Sequence, residues 1–289
     1  MLIVLKPYPG GGIGNYLFHL CHAVIRAQQQ EATLLIPRPL AFRSMNEHAI
    51  ALDFSSEPES YETSRIETID IFIHGNEATR MLGFRYRYQC MQDHIKPLFE
   101  AGARHESLGD QTLAIHVRSG DIFQPDGSNP GYGQPPLSWY QMLIERSGYR
   151  EVVLVTQTNF VQGGPNPVVA EIAKRWPHVR ILSDEVETDF HTLRNARHLA
   201  LSGGTFAVAA AMLNTRLARL HVPRYERETD PNFTHAFPAG EDLGFRRCDY
   251  EIHGYERMRE WRHLPEQVAL MLSHSIDDIT VREELSNSG

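Results

Sequence analysis

The sequence predicts an α/β protein built from two Rossmann-like domains, and three observations lead to this prediction. Its 289 residues are enough for two compact domains, each with its own core. A β-loop-α-β unit occupies residues 2–36, which indicates a parallel sheet. From residue 112 onward, short apolar strands alternate with helical segments over short connections, and this pattern favours a doubly wound sheet. We place the domain boundary between residues 105 and 106, within the polar, glycine-containing segment 101–111.

The N-terminal half opens with the most regular part of its pattern. It predicts a strand at Leu2–Leu5, a glycine loop at 10–14, an amphipathic helix near 15–30 and a strand at Thr33–Ile36. Residues 37–65 contain prolines and acidic or serine residues, so we expect irregular structure there. A further strand is predicted at 66–73 and a helix over 89–100.

In the C-terminal half, strands and helices alternate. The predicted strands cover 112–117, 151–156, 178–183, 198–202 and 217–222. The predicted helices lie at about 137–147, 166–176, 189–197 and 205–214. The tail from 253 to 274 is expected to be helical.

Composition excludes some classes of function. Hydrophobic residues make up 42% and charged residues 22%, as in ordinary globular proteins. The net charge of -8 argues against nonspecific nucleic-acid binding but permits a local basic pocket. Three separated cysteines without CxxC spacing suggest a reducing compartment. Because Lys6 interrupts the first apolar run, we expect neither a signal segment nor a transmembrane span, and predict a cytoplasmic protein with room for peripheral membrane contact.

Two glycine-containing loops are candidates for anion binding. In 9–15, PGGGIGN, glycines would let backbone amides approach a ligand at the start of a helix. Its spacing does not complete GxGxxG, and no GK[ST] follows, so neither a dinucleotide fingerprint nor a P-loop is supported. In 199–214, a short strand runs into Ser-Gly-Gly-Thr and an alanine-rich helix, which leaves free amides at the helix start. A tight turn in the first loop and an ordinary capped helix in the second remain alternatives.

A third candidate is TLAIHVRSGDIF, residues 112–123, where a buried strand ends in Arg, Ser, Gly and Asp. Arg118 would lie just past the strand, where a guanidinium can make paired hydrogen bonds to a diphosphate. Asp121 would cap the loop or orient Arg118, and His116 would share the arginine's side of the strand. A purely structural Arg–Asp pair is the alternative interpretation.

The three loops, taken in order, resemble the fucosyltransferases of the α-1,2, α-1,6 and protein-O-fucosylating groups, and most closely the α-1,2 enzymes. GGGIGNYLF (10–18) is similar to their GG-[LI]-GNQ-x-F loop, and IHVRSGD (115–121) to their H-x-R-x-GD motif. The segment 181–206 resembles their run from an SD pair to a serine-rich SSF turn. The motifs are collinear over most of the chain, although each one alone is weakly specific.

This resemblance implies a GT-B-like fold, with two Rossmann-like domains facing a cleft, and inverting, metal-independent transfer of fucose from GDP-fucose to a glycan hydroxyl. The domain 1–105 would be the acceptor side, and 106–289 would bind the nucleotide sugar. No cofactor or metal is implied. The donor site would comprise Gly12, Gly14, Asn15, His116, Arg118, Asp184, Asp189, Ser202, Gly204, Thr205 and Phe206.

Catalytic and acceptor residues are less defined by the pattern. Arg118 would stabilise charge on the departing diphosphate, and His19, His116 and Asp121 are the candidates for the base. In NPGYGQPPLSWYQ (129–141), Tyr132 and Trp139 would contact the acceptor sugar, or else lie in the core. His19 and His22 lack a recognisable third ligand, so we expect no metal there.

Two departures from the family pattern keep other functions open. Many relatives carry a second arginine where this chain has Ser119, and the usual SSFSWW is here GTFAVA. A noncatalytic sugar-nucleotide or glycan-binding protein on the same scaffold, or a transferase that uses another nucleotide sugar, are therefore the alternatives.

Overall fold

The structure is a computed structural model that describes residues 2–5, 12–36, 50–53, 66–69, 83–99, 103–124, 133–158, 164–225, 243–255 and 261–283. The chain divides into two compact units, Met1–Ala103 and Arg104–Gly289. Within the described residues, no helix combines the length and the apolar character needed to cross a membrane.

The N-terminal unit has a small mixed sheet. Its strands are β1 (Leu2–Leu5), β2 (Thr33–Ile36), β3 (Ile50–Asp53) and β4 (Ile66–Ile69), in the spatial order β3-β2-β1-β4. β1 pairs in parallel with both β2 and β4. Helix α1 (Ile13–Gln29) connects β1 to β2, so the predicted β-loop-α-β unit is present.

The expectation of irregular structure throughout 37–65 is wrong at one point, because β3 pairs antiparallel with β2. Four residues of a short edge strand give too little alternation to be recognised by pattern. The second helix also begins earlier than predicted: α2 covers Gly83–Cys90 and continues as a π-helical turn, Met91–Ile95, and a 3₁₀ turn, Lys96–Leu98.

The C-terminal unit is a larger α/β layer. Its strands are β5 (Thr112–Val117), β6 (Glu151–Thr156), β7 (Arg180–Leu182), β8 (His198–Ala200), β9 (Arg219–Tyr225), β10 (Arg246–Ile252) and β11 (Ile279–Glu283). Its helices are α3 (Leu137–Arg146), α4 (Pro167–Arg175), α5 (Val186–Arg194), α6 (Thr205–Met212) and α7 (Pro265–Ser273), with 3₁₀ turns at Asp121–Phe123 and Ile276–Asp278.

The order of the seven strands is β11-β10-β9-β8-β5-β6-β7, and every pair from β10 to β7 is parallel. Numbered from β5, this is the doubly wound Rossmann order 3-2-1-4-5-6 with an added antiparallel edge strand. The chain leaves β5 toward β6 and β7, and later returns to the opposite side of β5 through β8. The sheet therefore has its topological switch point between β5 and β8.

The prediction of a helical tail from 253 to 274 is only partly correct. Helix α7 lies there, but β10 and β11 flank it and were not predicted. β10 reads RRCDYEI, whose charges hide its strand character, and its Arg247 pairs with Asp249 of the same strand. Because side chains i and i+2 share one face of a strand, Arg247 and Asp249 are neighbours on the same face of β10.

The central strands of the C-terminal sheet are buried in the core of that unit. β5 is buried at all six positions, and β6 at five of its six positions. Trp139, Tyr140 and Trp261 are almost wholly enclosed in the same cluster. This packing on both faces is typical of the central strands of a parallel sheet, and it leaves only their carboxyl ends for ligands. The facing of two domains across a cleft stays a prediction.

Candidate anion-binding site at the switch point

The loop that follows β5 turns sharply. Gly120 has φ +79°, a conformation that favours glycine, and the 3₁₀ turn Asp121–Phe123 starts directly after it. Ser119 is buried, and its hydroxyl lies 2.8 Å from the Thr156 hydroxyl at the end of β6. Ser119 thus ties two strand ends together.

Both backbone groups of Arg118 are held by side chains from distant loops. Its N–H donates to Ser202 Oγ at 3.2 Å, and its carbonyl accepts from Asn166 Nδ2 at 2.8 Å. Ser202 follows β8 and Asn166 precedes α4. The two hydrogen bonds fix the direction in which the Arg118 side chain leaves the backbone.

The Arg118 guanidinium lies between a carboxylate and a glycine. Nε lies 3.3 Å from Asp121 Oδ1, and Nη2 lies 2.6 Å from Asp121 Oδ2, so the pair is two-pronged. Asp121 is more than half exposed, whereas Arg118 has only 23% of its side chain exposed. Nη1 is directed toward Gly204, where a Cβ would lie only 2.9 Å from it. Asp121 therefore holds one edge of the Arg118 guanidinium, and Gly204 provides the space for the other.

Gly203 and Gly204 form the turn that leads into α6. Their φ values are +109° and +81°, so both positions favour glycine. Gly204 is the N-cap of α6 and Thr205 is its first residue, so the positive end of the helix dipole lies beside the guanidinium. A small open hollow, with an empty volume of about 210 Å³ that includes its mouth, is lined by Arg118, Ile122, Gly133, Gln134, Ser202, Gly203 and Gly204.

His116 lies beside Ser202, one of the residues that line this hollow. Burial, and to a smaller extent the charge of Arg118, lowers the pKa of His116 to about 3. Its Nδ1 lies 3.2 Å from Ser202 Oγ, and its ring lies 5.4 Å from that of Phe206. A neutral imidazole in this position supports Ser202 and is a weak base. Burial also raises the pKa of the neighbouring Tyr140.

Two buried amides that sequence reasoning missed complete the site. Gln134 lines the hollow and exchanges hydrogen bonds with Asn166 in both directions, at 3.0 and 2.8 Å. Asn166 is the N-cap of α4 and precedes Pro167, which together are a recognisable helix-start signal. That signal predicts a cap, but it does not reveal a partner 48 residues away in the chain.

Asp184 and Asp189 lie at the start of the neighbouring helix α5. The Asp184 N–H donates to Asp189 Oδ1 at 3.2 Å, so Asp189 closes the turn before the helix. Burial, together with the charge of Asp184, raises the pKa of Asp189 to about 6. Phe190 packs on Phe206 at 5.5 Å, which links α5 to the start of α6. The two carboxylates therefore border the site without lining the hollow.

The predicted residues of the glycine loop belong to the N-terminal unit. Gly12 is the N-cap of α1 with φ -60°, and nothing lies within 4 Å of a Cβ placed there. The backbone at position 12 therefore does not require glycine. Gly14, Asn15 and His19 follow within α1, where Gly14 and His19 are buried.

Of the two predicted acceptor residues, the structure describes Trp139 alone. Trp139 is fully buried and packs edge-on against Tyr140 and Tyr250, so its ring has no face open to a sugar and the core interpretation of Trp139 is the correct one. Tyr132, like Gly10 and Gly11, lies outside the described residues. In the part of the chain that the structure describes, no three His, Cys, Asp or Glu side chains are grouped to hold a metal ion.

The arrangement is suited to binding an anion. A partly buried guanidinium and the start of a helix converge at the carboxyl edge of the sheet, where doubly wound folds hold phosphates. Comparison of the chain with protein-family models, with curated proteins and with solved structures found no match.

Proposed function

We propose that the chain is an inverting, metal-independent glycosyltransferase that moves fucose from GDP-fucose to a glycan hydroxyl. The observation that supports this most is the placement of Arg118. Its backbone is held by Ser202 and Asn166 at the switch point, and its guanidinium faces Gly204 at the start of α6. A preorganised cation at this location fits a leaving diphosphate.

In the proposed reaction, the acceptor oxygen attacks the sugar's anomeric carbon while the bond from that carbon to the diphosphate oxygen breaks. GDP leaves with the bonding electrons, and Arg118 and the first N–H groups of α6 stabilise its charge. The acceptor proton goes to a base. Of the candidates, His116 is neutral and buried, His19 is buried in the N-terminal unit, and Asp121 has an exposed carboxylate. We assign the proton to Asp121.

The test is release of GDP from GDP-fucose in the presence of a panel of glycan acceptors, with a panel of other nucleotide sugars as donors. Release that requires both GDP-fucose and one acceptor class is the expected result. Turnover with a different donor would reassign the sugar, and absence of turnover with all donors would exclude transferase activity toward that panel. If Asp121 is the base as well as the partner of Arg118, Asp121→Asn should reduce turnover by a far larger factor than it weakens GDP binding.

A noncatalytic sugar-nucleotide-binding protein is the second candidate, and Ser119 favours it. Because Ser119 is buried against Thr156, the motif contributes one arginine to the hollow where relatives carry two. Less positive charge stabilises a transition state less, while ground-state binding survives. A rise in melting temperature with GDP or GDP-fucose, without GDP release on any acceptor, would decide for this candidate.

A further inference from the structure

The amide of Asn166 is fully committed to hydrogen bonds. Its nitrogen donates one proton to the Arg118 carbonyl at 2.8 Å and the other to Gln134 Oε1 at 2.8 Å. Its oxygen accepts from the Val168 N–H at 2.9 Å, and this backbone donor determines which end of the amide is oxygen. With 3% of its surface exposed, Asn166 has no room for water to replace these partners.

Gln134 connects this amide to the hollow and to α7. Its Nε2 donates to Asn166 Oδ1 at 3.0 Å and contacts Met271 Sδ at 3.2 Å. The backbone carbonyl of Gln134 accepts from the Tyr255 hydroxyl at 3.2 Å. Gln134 is itself 1% exposed. The amide pair therefore joins the loop after β5 to the segments before α3 and α4 and to α7.

We propose that Asn166, supported by Gln134, is a positioning residue that sets the orientation of Arg118 for its anionic ligand. Ser202 fixes the N–H side of Arg118 and Asn166 fixes the C=O side, so the two bonds together restrain both backbone torsions of that residue. Without the hydrogen bond from Asn166, one of the two backbone torsions of Arg118 is no longer restrained. This inference rests on the proposed anion site but concerns residues to which the fucosyltransferase resemblance assigns no role.

The chain contains a matched control for this amide. Asn214 is also buried, donates through Nδ2 to two backbone carbonyls, those of Leu193 and Ala196, and accepts the Arg216 N–H through Oδ1. It lies after the far end of α6. Replacement of either asparagine by serine keeps a short oxygen acceptor for the local N–H, removes the donated bonds and adds no charge.

The experiment compares Asn166→Ser with Asn214→Ser in the full chain. Calorimetry with inorganic pyrophosphate and with GDP measures affinity, and amide hydrogen exchange of Arg118 by NMR measures how firmly its backbone is held. In Asn166→Ser we expect binding to weaken about tenfold and the Arg118 amide to exchange about tenfold faster, since one buried bond is worth about that factor. Asn214→Ser should lower the melting temperature and leave both quantities at wild-type values.

The outcomes separate this inference from the proposed function. Unchanged exchange at Arg118 in Asn166→Ser overturns the positioning role, as does equal weakening of binding by both variants. If the wild-type protein binds neither probe, the proposed function fails, and the exchange rate alone then decides whether Asn166 holds Arg118. If Asn166→Ser does not fold, Asn166→Asp, paired with Asn214→Asp, repeats the comparison with the cap oxygen retained.

Discussion

The position of Arg118 is set by contacts to both its backbone and its side chain. Ser202 and Asn166 bond its backbone, Asp121 accepts from Nε and Nη2 of its guanidinium, and Nη1 faces Gly204. A planar fork presented in a fixed direction binds a diphosphate at little cost in conformational entropy.

Replacement of Arg118 by lysine should abolish most activity and leave the fold intact. Lysine keeps the charge but cannot make the planar two-point contact, so we expect a loss of about 2–4 kcal/mol of transition-state stabilisation. Steady-state kinetics and a thermal melt measure the two effects. The control is Arg224→Lys, since Arg224 is similarly exposed and also pairs with an aspartate. Near-normal turnover in Arg118→Lys would remove Arg118 from the mechanism.

The two glycines before α6 separate backbone strain from crowding of Arg118. Gly204→Ala should lose about 1–3 kcal/mol of stability because of its positive φ, and its Cβ should also push Nη1 of Arg118 aside and weaken GDP binding. In Gly203→Ala the φ is also positive but nothing lies within 4 Å of the new Cβ, so stability should fall while GDP affinity is retained. Calorimetry and denaturant unfolding of both variants test this; equal affinity in the two would contradict the predicted crowding.

A buried carboxylate in the first turn of helix α5 costs folding stability when it is ionised. Asp189 is 7% exposed and has a pKa of about 6, compared with 3.8 for an unperturbed aspartate. The folded protein therefore binds this proton more tightly than the unfolded chain does. Stability from this group is fully present below pH 3.8 and is lost as the pH rises through about 6.

Replacement of Asp189 by asparagine should therefore stabilise the protein above pH 6. Asparagine retains an oxygen for the Asp184 N–H, and at pH 8 the gain should be about 2–3 kcal/mol, shrinking toward zero near pH 4. Urea unfolding across this pH range measures it. Asp110→Asn, at an exposed surface ion pair, should change stability by less than about 1 kcal/mol at any pH. A pH-independent effect at position 189 would contradict the raised pKa.

The C-terminal unit contains several buried histidines that are neutral in the folded protein. Burial lowers the pKa of His116 and His221 to about 3 and that of His191 to about 4, and nearby arginines contribute in each case. His221 lies between two tyrosines, with Nε2 at 2.8 Å from the Tyr149 hydroxyl and Nδ1 at 2.7 Å from the Tyr250 hydroxyl. Below the unfolded pKa of about 6.5, the unfolded chain takes up protons that the folded unit excludes.

We therefore expect the C-terminal unit to lose stability as the pH falls from 7 to 4. Each buried histidine contributes a loss of about 1.4 kcal/mol per pH unit below about 6.5, and Asp189 offsets part of it below about pH 6. All three tryptophans, Trp139, Trp176 and Trp261, lie in this unit, so their fluorescence reports its unfolding. His221→Gln should make the dependence on pH shallower, whereas His178→Gln, at an exposed position, should not. Parallel curves for the wild type and His221→Gln would refute the assignment.

Activity should persist in excess EDTA. The chain has no DxD motif, and the proposed stabilisers of the leaving diphosphate are Arg118 and the N–H groups at the start of α6. Assays of GDP release with and without the chelator decide this. Loss of activity that Mg²⁺ or Mn²⁺ restores would replace the mechanism with a metal-assisted one.

The α/β class, the Rossmann-like alternation of the C-terminal half and several element boundaries, β5 and β6 among them, follow from the sequence alone. These features depend on local periodicity, which the chain records directly. The same local patterns also located the Arg118 and Ser202–Thr205 loops, because each follows an apolar strand. Strands β3, β10 and β11 were missed, since short or charged strands receive their stability from a neighbour that the local pattern does not show.

Which loops meet, and which side chains are held in place, depends on the order and register of the strands in the folded protein. The strand order brings the end of β5 beside the end of β8, and so puts Arg118 next to Gly204. It also turns Trp139 into the core, leaves Gly12 without a positive φ, and gives Asn166 and Gln134 a place at the site. Hydrogen bonds between side chains and backbone groups 48 and 84 residues apart leave no periodicity in a single sequence, because each one depends on the register and order of the whole sheet.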